Sequence, residues 1–259
     1  MRVANPRRAS VAENVLAKAL LAAVTVCSMI SCEREPAISP GPVAEVSEYL
    51  LSPTSLSTDG TIAFSVDSTL YDPSVGGTDV RTSTQTWVLR PQAGASGTDE
   101  RRFLVTRRDS VGEVVGQQFW QWDTTPEGTG VTNTLDGLTY LSLTTPLQVG
   151  SSWDALRFTD AQLVISVEDE PIAVHKDWSA TIDSLGEYAL PDGSNVEAVW
   201  VSHASSENRI ELRRVREVYG RGVGLLERRA DVLDSQNLED LPWDTKAERG
   251  FSVVIKRLR

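Results

Sequence analysis

Residues able to do chemistry are sparse in this 259-residue chain, which has two histidines and two cysteines. His175 and His203 share no motif, and the acids near them, Asp177 and Glu207, do not make up the three or more convergent ligands that a metal site needs. Ser202-His203 is a mere adjacency, because neighbours on a strand face opposite sides. Neither G-x-S-x-G nor H-E-x-x-H occurs. The run GRGVG, Gly220 to Gly224, lacks the spacing and the strand–turn–helix frame of a phosphate-binding loop. Its glycines read as structural, entering a strand. The acid pairs Glu168 to Glu170 and Glu239-Asp240 lie beside prolines in predicted loops and read as solvated charge, with weak calcium binding as the metal chemistry open to them. No catalytic, cofactor or metal residue is expected, and the chain does not read as an enzyme.

Two clusters are suited to binding instead. Alternation places Trp120 and Trp122 on one face of a strand, where paired indoles could stack on sugar rings or fill a core. The arginines 213, 214, 216, 221, 228 and 229 form a basic segment in an acidic chain. On strands, some would face solvent opposite acids of neighbouring strands; the functional alternative is a docking patch for an anionic partner.

The most specific chemistry belongs to Cys32. A basic leader with Arg2, Arg7, Arg8 and Lys18 precedes the apolar run Ala19 to Ser31, which at about 13 residues is too short for the roughly 20 of a membrane-spanning helix. Met29-Ile30-Ser31-Cys32 resembles the bacterial lipobox, in which the cysteine thiol takes a diacylglyceryl group and the chain is cut on its N-terminal side, here between Ser31 and Cys32. Cys27 lies within the removed signal, leaving no partner for a disulfide. Two or three acyl chains hold a protein to a membrane stably, at about 0.8 kcal/mol per buried CH₂. Removing four basic residues and one acid with the signal takes the net charge from −11 to −14. Such a body has no electrostatic footprint for nucleic acid and no charge attraction to anionic lipid. Residues 32–47, with Pro36, Pro40 and Pro42, have linker composition, and residues 48–259 form the expected body.

The elements of that body follow a period of two. Ile62, Phe64 and Val66 alternate with small or polar residues, and similar runs recur at STQTWVLR, RRFLVTRR, EVVGQQFWQW, LTYLSL, AQLVISVED, DWSATID, NVEAVWVSH and FSVVIKRL. Turn chemistry separates them, as at Pro191-Asp192-Gly193. The best helical candidates are Arg209 to Glu217 and Asp231 to Asp240, both without clean caps. Short strands without intervening helices predict an antiparallel architecture. The fold class is therefore mainly β: a single curved sheet, barrel or sandwich-like domain with little helix, behind a signal peptide and flexible linker.

Val66-Asp67-Ser68 with Tyr71-Asp72, the stretch TSTQTWVLR, the tryptophan of VGSSWDA, and Tyr219 to Leu226 together resemble an uncharacterised family of β-rich lipoproteins from Bacteroidota and related bacteria. Ala63-Phe64 stand where that family carries an aromatic pair. The resemblance implies an envelope location and a β-rich fold, and supplies no catalytic residue. The expected function is a lipid-anchored protein of the cell envelope, most naturally the outer membrane, acting as a non-enzymatic binding or scaffold module toward a protein, glycan or lipid. The alternative is a carrier of a lipid or other hydrophobic ligand in a β cavity.

Overall fold

Among the described residues, most runs in which apolar and polar residues alternate form strands, and most of these join edge to edge. The computed structural model describes residues 44–51, 60–72, 77–92, 101–125, 128–135, 138–160, 164–167, 170–176 and 178–258. Ser31 and Cys32 lie outside the described residues. The first half contributes β1 (Thr61–Asp72), β2 (Gly77–Gln92), β3 (Arg101–Arg108), β4 (Val114–Thr125), β5 (Gly128–Leu135) and β6 (Leu138–Thr144). Two residues, Ser152–Trp153, form β7, and a separate hairpin pairs β8 (Ile165–Val167) with β9 (Glu170–Ile172). The second half contributes β10 (Ala180–Ala189), β11 (Asn195–Glu207), β12 (Glu211–Gly220), β13 (Gly224–Asp234) and β14 (Arg249–Arg257).

These strands make one antiparallel sheet of 12 strands in the order β6-β5-β4-β3-β2-β1-β14-β13-β12-β11-β10-β7. Two meanders are fused where β1 pairs with β14, with Val66 opposite Ile255 and Leu70 opposite Phe251. The sheet curls until its edges nearly meet. At one edge Ser152–Trp153 pairs with β10, while the Leu141 amide at the other edge donates to the Ala155 carbonyl at 2.8 Å, and Trp153 Nε1 donates to the Leu141 carbonyl at 2.9 Å. Curling of this kind turns one face of every strand to a common interior and removes most exposed edge. Bulges assist it. One such register shift falls between Ser202 and Ala204, so that His203 and Ala204, though consecutive, are both buried.

The interior is packed with the residues that alternation selects. Trp87 lies between Phe64, at 4.3 Å between ring centroids, and Trp120, at 5.7 Å. Leu143, Val199 and Val201 are fully buried beside them. Each such side chain contributes about 1.5–3 kcal/mol through removal from water.

Three sequence expectations are corrected. Arg209 to Glu217 is not helical; from Glu211 it is strand β12, because its inward positions are covered by neighbouring strands and sheet pairing overrides a helix-like charge spacing. Asp231 to Asp240 begins as the end of β13 and then runs without regular structure, and the α-helix that follows is only Trp243–Lys246. The folded body also starts before residue 48. Ala44 bridges to Leu147, and the 3-10 turn Val46–Tyr49 buries Val46 and Tyr49 in the core.

Candidate functional site

Strand β12 divides its side chains by parity. Arg214 and Arg216 are exposed on the outer face, whereas Arg213, Val215, Glu217 and Tyr219 are buried on the inner one. Burying a charge is tolerated only where partners surround it, and Glu217 has four. Its Oε1 accepts from the Tyr140 hydroxyl at 3.0 Å and from Arg228 Nη1 at 3.1 Å. Its Oε2 accepts from the Tyr219 hydroxyl at 2.6 Å and from His203 Nε2 at 3.0 Å. A carboxylate only accepts, so this contact assigns the Nε2 proton to His203. Tyr140 in turn accepts from Asn133 Nδ2 at 2.9 Å and from Arg228 Nη1.

The electrostatics follow from this geometry. Burial alone would push the Glu217 carboxyl up, but His203 and Arg228, with the Tyr219 hydroxyl, outweigh it and hold the group at about 2. Burial pushes the Tyr140 and Tyr219 hydroxyls up, so both are neutral donors. Arg228 stays charged: burial opposes its charge, and Tyr140 and Glu217 more than restore it. With both carboxylate oxygens capped and the side chain sealed from solvent, Glu217 is not placed to take a proton from a substrate. What it does is fix Arg228.

Arg228 stands at the wall of a cavity of about 210 Å³. Alternate residues of two neighbouring strands line one side: Arg228, Ala230 and Val232 from β13, then Phe251, Val253 and Ile255 from β14. Facing them are Leu138 and Tyr140 of β6 and the segment carrying Val174, His175 and Trp178. Arg107 of β3 and Val215 of β12 also reach the lining. Arg107, Leu138, Arg228, Phe251 and Val253 are half-buried, and the remaining lining is buried. The His175 ring is buried and packs edge-on against Trp178 at 4.8 Å, and its Nδ1 has no hydrogen-bond partner among the described residues. Burial, followed by the charge of Arg228, pulls this imidazole down to about 4. At neutral pH it is uncharged.

The residues singled out in the sequence distribute unevenly around this site. His175 and His203 both pack against the Trp178 ring, at 4.8 Å and 5.4 Å. Among the described residues no group of three His, Cys, Asp or Glu converges. Ser202 faces outward, where its hydroxyl donates to Asp183 at 2.5 Å, opposite to the inward His203. Glu207 bonds Arg214 and Trp243 rather than His203, and Asp177 lies outside the described residues. Trp120 is core, which removes it from any sugar platform; the side chain of Trp122 is outside the described residues. Gly220 to Gly224 form the turn between β12 and β13, with Gly222 and Gly224 at φ +69° and +78°. A side chain at Gly220 would press on Leu226.

Each arginine of the run has an acidic partner. Arg214 pairs with Glu207, Arg216 with Asp183, Arg221 with Glu48 and Glu197, and Arg229 with Asp231. Arg213 is buried against Asp234 at 2.7 Å and against the Leu212 and Leu233 carbonyls, both at 3.0 Å. Glu239 and Asp240 are exposed; Glu168 and the side chain of Glu170 lie outside the described residues. Sequence reasoning missed Glu217, Tyr140 and the inward role of Arg228. The signal was available in the parity of R-R-V-R-E-V-Y, which on a strand puts Glu217 between Val215 and Tyr219 on the apolar face.

No protein-family model matches the chain, and no curated protein does. Solved structures give two similarities. One is a candidate lipoprotein from Parabacteroides distasonis, at 9% identity and TM-score 0.32, and the match covers 79% of this chain and 96% of that one. The other is a candidate exported protein with a YmcC-like fold from Bacteroides fragilis, at 11% identity and TM-score 0.29, over 79% and 96% of the two chains.

Proposed function

We propose that this chain is a lipid-anchored protein of the bacterial cell envelope, held in the outer membrane through Cys32, whose β body is a non-enzymatic binding module. Its binding site is the interior cavity. The observation that carries this reading is the cavity lining, in which an apolar wall is joined by one fixed guanidinium, one hydroxyl and one uncharged imidazole. Pockets with a few convergent polar groups on an apolar wall are what small ligands occupy. At about 210 Å³ the cavity falls below the 300–1,000 Å³ typical of drug-sized ligands, which argues against a carrier that swallows a long acyl chain. A cavity of about 150 Å³ holds benzene, which sets the scale of the occupant at one ring or a short chain.

A thermal-shift screen of small fragments on the intact protein tests this. At least one fragment is expected to raise the melting temperature of the wild type and to have no effect on Ala230→Leu, in which a larger side chain fills the cavity. If no fragment shifts the wild type, or if Ala230→Leu responds equally, the cavity is not the site.

A further inference from the structure

Resting on the reading of the cavity as a binding site, we propose that its ligand is a small organic monoanion with an apolar body, its acid group held by Arg228 beside His175. The lining contains two arginines, Arg107 and Arg228, and no acid. The nearest carboxylate, Glu217, lies behind Arg228 and is already saturated by Tyr140, Tyr219, His203 and Arg228 itself. Arg228 is paired with Glu217 behind it, so what this wall offers a ligand is hydrogen-bond donors rather than an unbalanced charge.

The donor geometry points the same way. Both hydrogen bonds of Arg228 leave from Nη1, one to Tyr140 and one to Glu217, and among the described residues Nε and Nη2 make none. The side chain is 16% exposed, so these donors are neither sealed in packing nor freely hydrated. Adjacent N–H groups of one guanidinium match the two oxygens of a carboxylate, and such bidentate pairs are among the strongest hydrogen bonds available to a protein. His175 adds a second, independent feature. It lines the same cavity, is 7% exposed, and its buried Nδ1 has no partner among the described residues. Arg228 is meanwhile held in place from behind by Glu217, so little conformational freedom is lost on binding.

Trp178, Phe251 and Val253 supply the apolar surface for the rest of the ligand. The volume limits that body to about six to eight carbons, on the scale of a cavity that holds benzene. The expected ligand class is therefore an aryl or short-chain carboxylic acid.

Phenylacetate and its neutral amide, phenylacetamide, are the probes, titrated calorimetrically into the full-length protein in nanodiscs of zwitterionic lipid. Phenylacetate is expected to bind at least tenfold more tightly than the amide. In Arg228→Met combined with Glu217→Gln, which removes both members of the buried pair, the preference is expected to fall below threefold. Ala230→Leu is expected to abolish binding of both probes. Should the double variant fail to fold, the Arg228 side-chain Nε–H resonance of the wild type gives the same information, moving with the acid and not with the amide. Equal binding of amide and acid, or an Arg228 resonance unmoved by the acid, overturns the ligand class and leaves the cavity as a site for neutral compounds. If neither probe binds but neutral fragments do, the class is again wrong. If nothing binds, both readings fall.

Discussion

A single carboxylate organises the polar interior. Glu217 is ionised and fully buried, and what offsets its desolvation is four donors on two oxygens. Replacing one member of a buried ion pair costs about 3–5 kcal/mol, because the partners stay behind unpaired. Glu217→Ala is therefore expected to lower the melting temperature by about 10 °C, at the few degrees per kcal/mol usual for a domain of this size. Glu217→Gln keeps one acceptor and is expected to lose less. Thermal unfolding followed by circular dichroism checks both, and a change under about 2 °C would mean the network contributes nothing. His175 acts through pH. Its folded imidazole is held at about 4, while the unfolded one titrates near 6.5. The unfolded chain thus takes up a proton that the folded one refuses, and stability falls as pH drops from about 6.5 toward 4. His175→Gln is expected to flatten this limb of a melting-temperature profile; an unchanged slope in the variant would assign the acid sensitivity elsewhere.

At the scale of elements, the junction of β1 and β14 holds the two meanders together, and it depends on one glycine. Gly250, the second residue of β14, has φ +112°, and an added Cβ there would sit 2.0 Å from the Val232 carbonyl oxygen of β13. Gly250→Ala combines a disfavoured backbone with a clash against main chain that cannot swing aside, and is expected to cost more than about 3 kcal/mol. Limited proteolysis should then cut within β14 before the rest of the body, and wild-type resistance would refute the role. The elements themselves were unevenly legible. RRFLVTRR is strand β3 without the loss of a residue, because its alternation is clean and turns bound it. β5, GTGVTNTL, escaped detection because small polar residues give no hydrophobic period. For β12 the sequence leaves two readings open, a short helix without clean caps over Arg209 to Glu217 and a strand on which the arginines alternate. The site stays hidden either way, since only strand parity turns Glu217 inward beside Val215 and Tyr219, and only neighbouring strands bring Tyr140, His203 and Arg228 to it.

Across the whole molecule, charge and anchor have separate tasks. On the proposed reading, a mature body at −14 is repelled by anionic lipid, which leaves attachment to acyl chains on Cys32. Cys32→Ser is expected to abolish incorporation of labelled fatty acid and to shift the protein from the membrane to the soluble fraction at every salt concentration. Unchanged membrane association would remove the anchor. The same excess charge governs stability through two opposed effects of salt. Screening weakens the outer-face pairs, such as Arg214–Glu207 at 3.2 Å and Arg216–Asp183 at 3.1 Å, but pairs this exposed contribute only about 0–1 kcal/mol each. Screening also weakens the repulsion among the unbalanced acids, which acts over the whole surface and disfavours the compact state. The Debye length shrinks from about 30 Å at 0.01 M to about 3 Å at 1 M, so long-range repulsion fades well before contacts at hydrogen-bond distance do. The melting temperature is therefore expected to rise by several degrees from about 0.01 M to 0.5 M sodium chloride, most of it below about 0.15 M. A flat or falling curve would mean that the local pairs, rather than the net charge, dominate the electrostatics of the body.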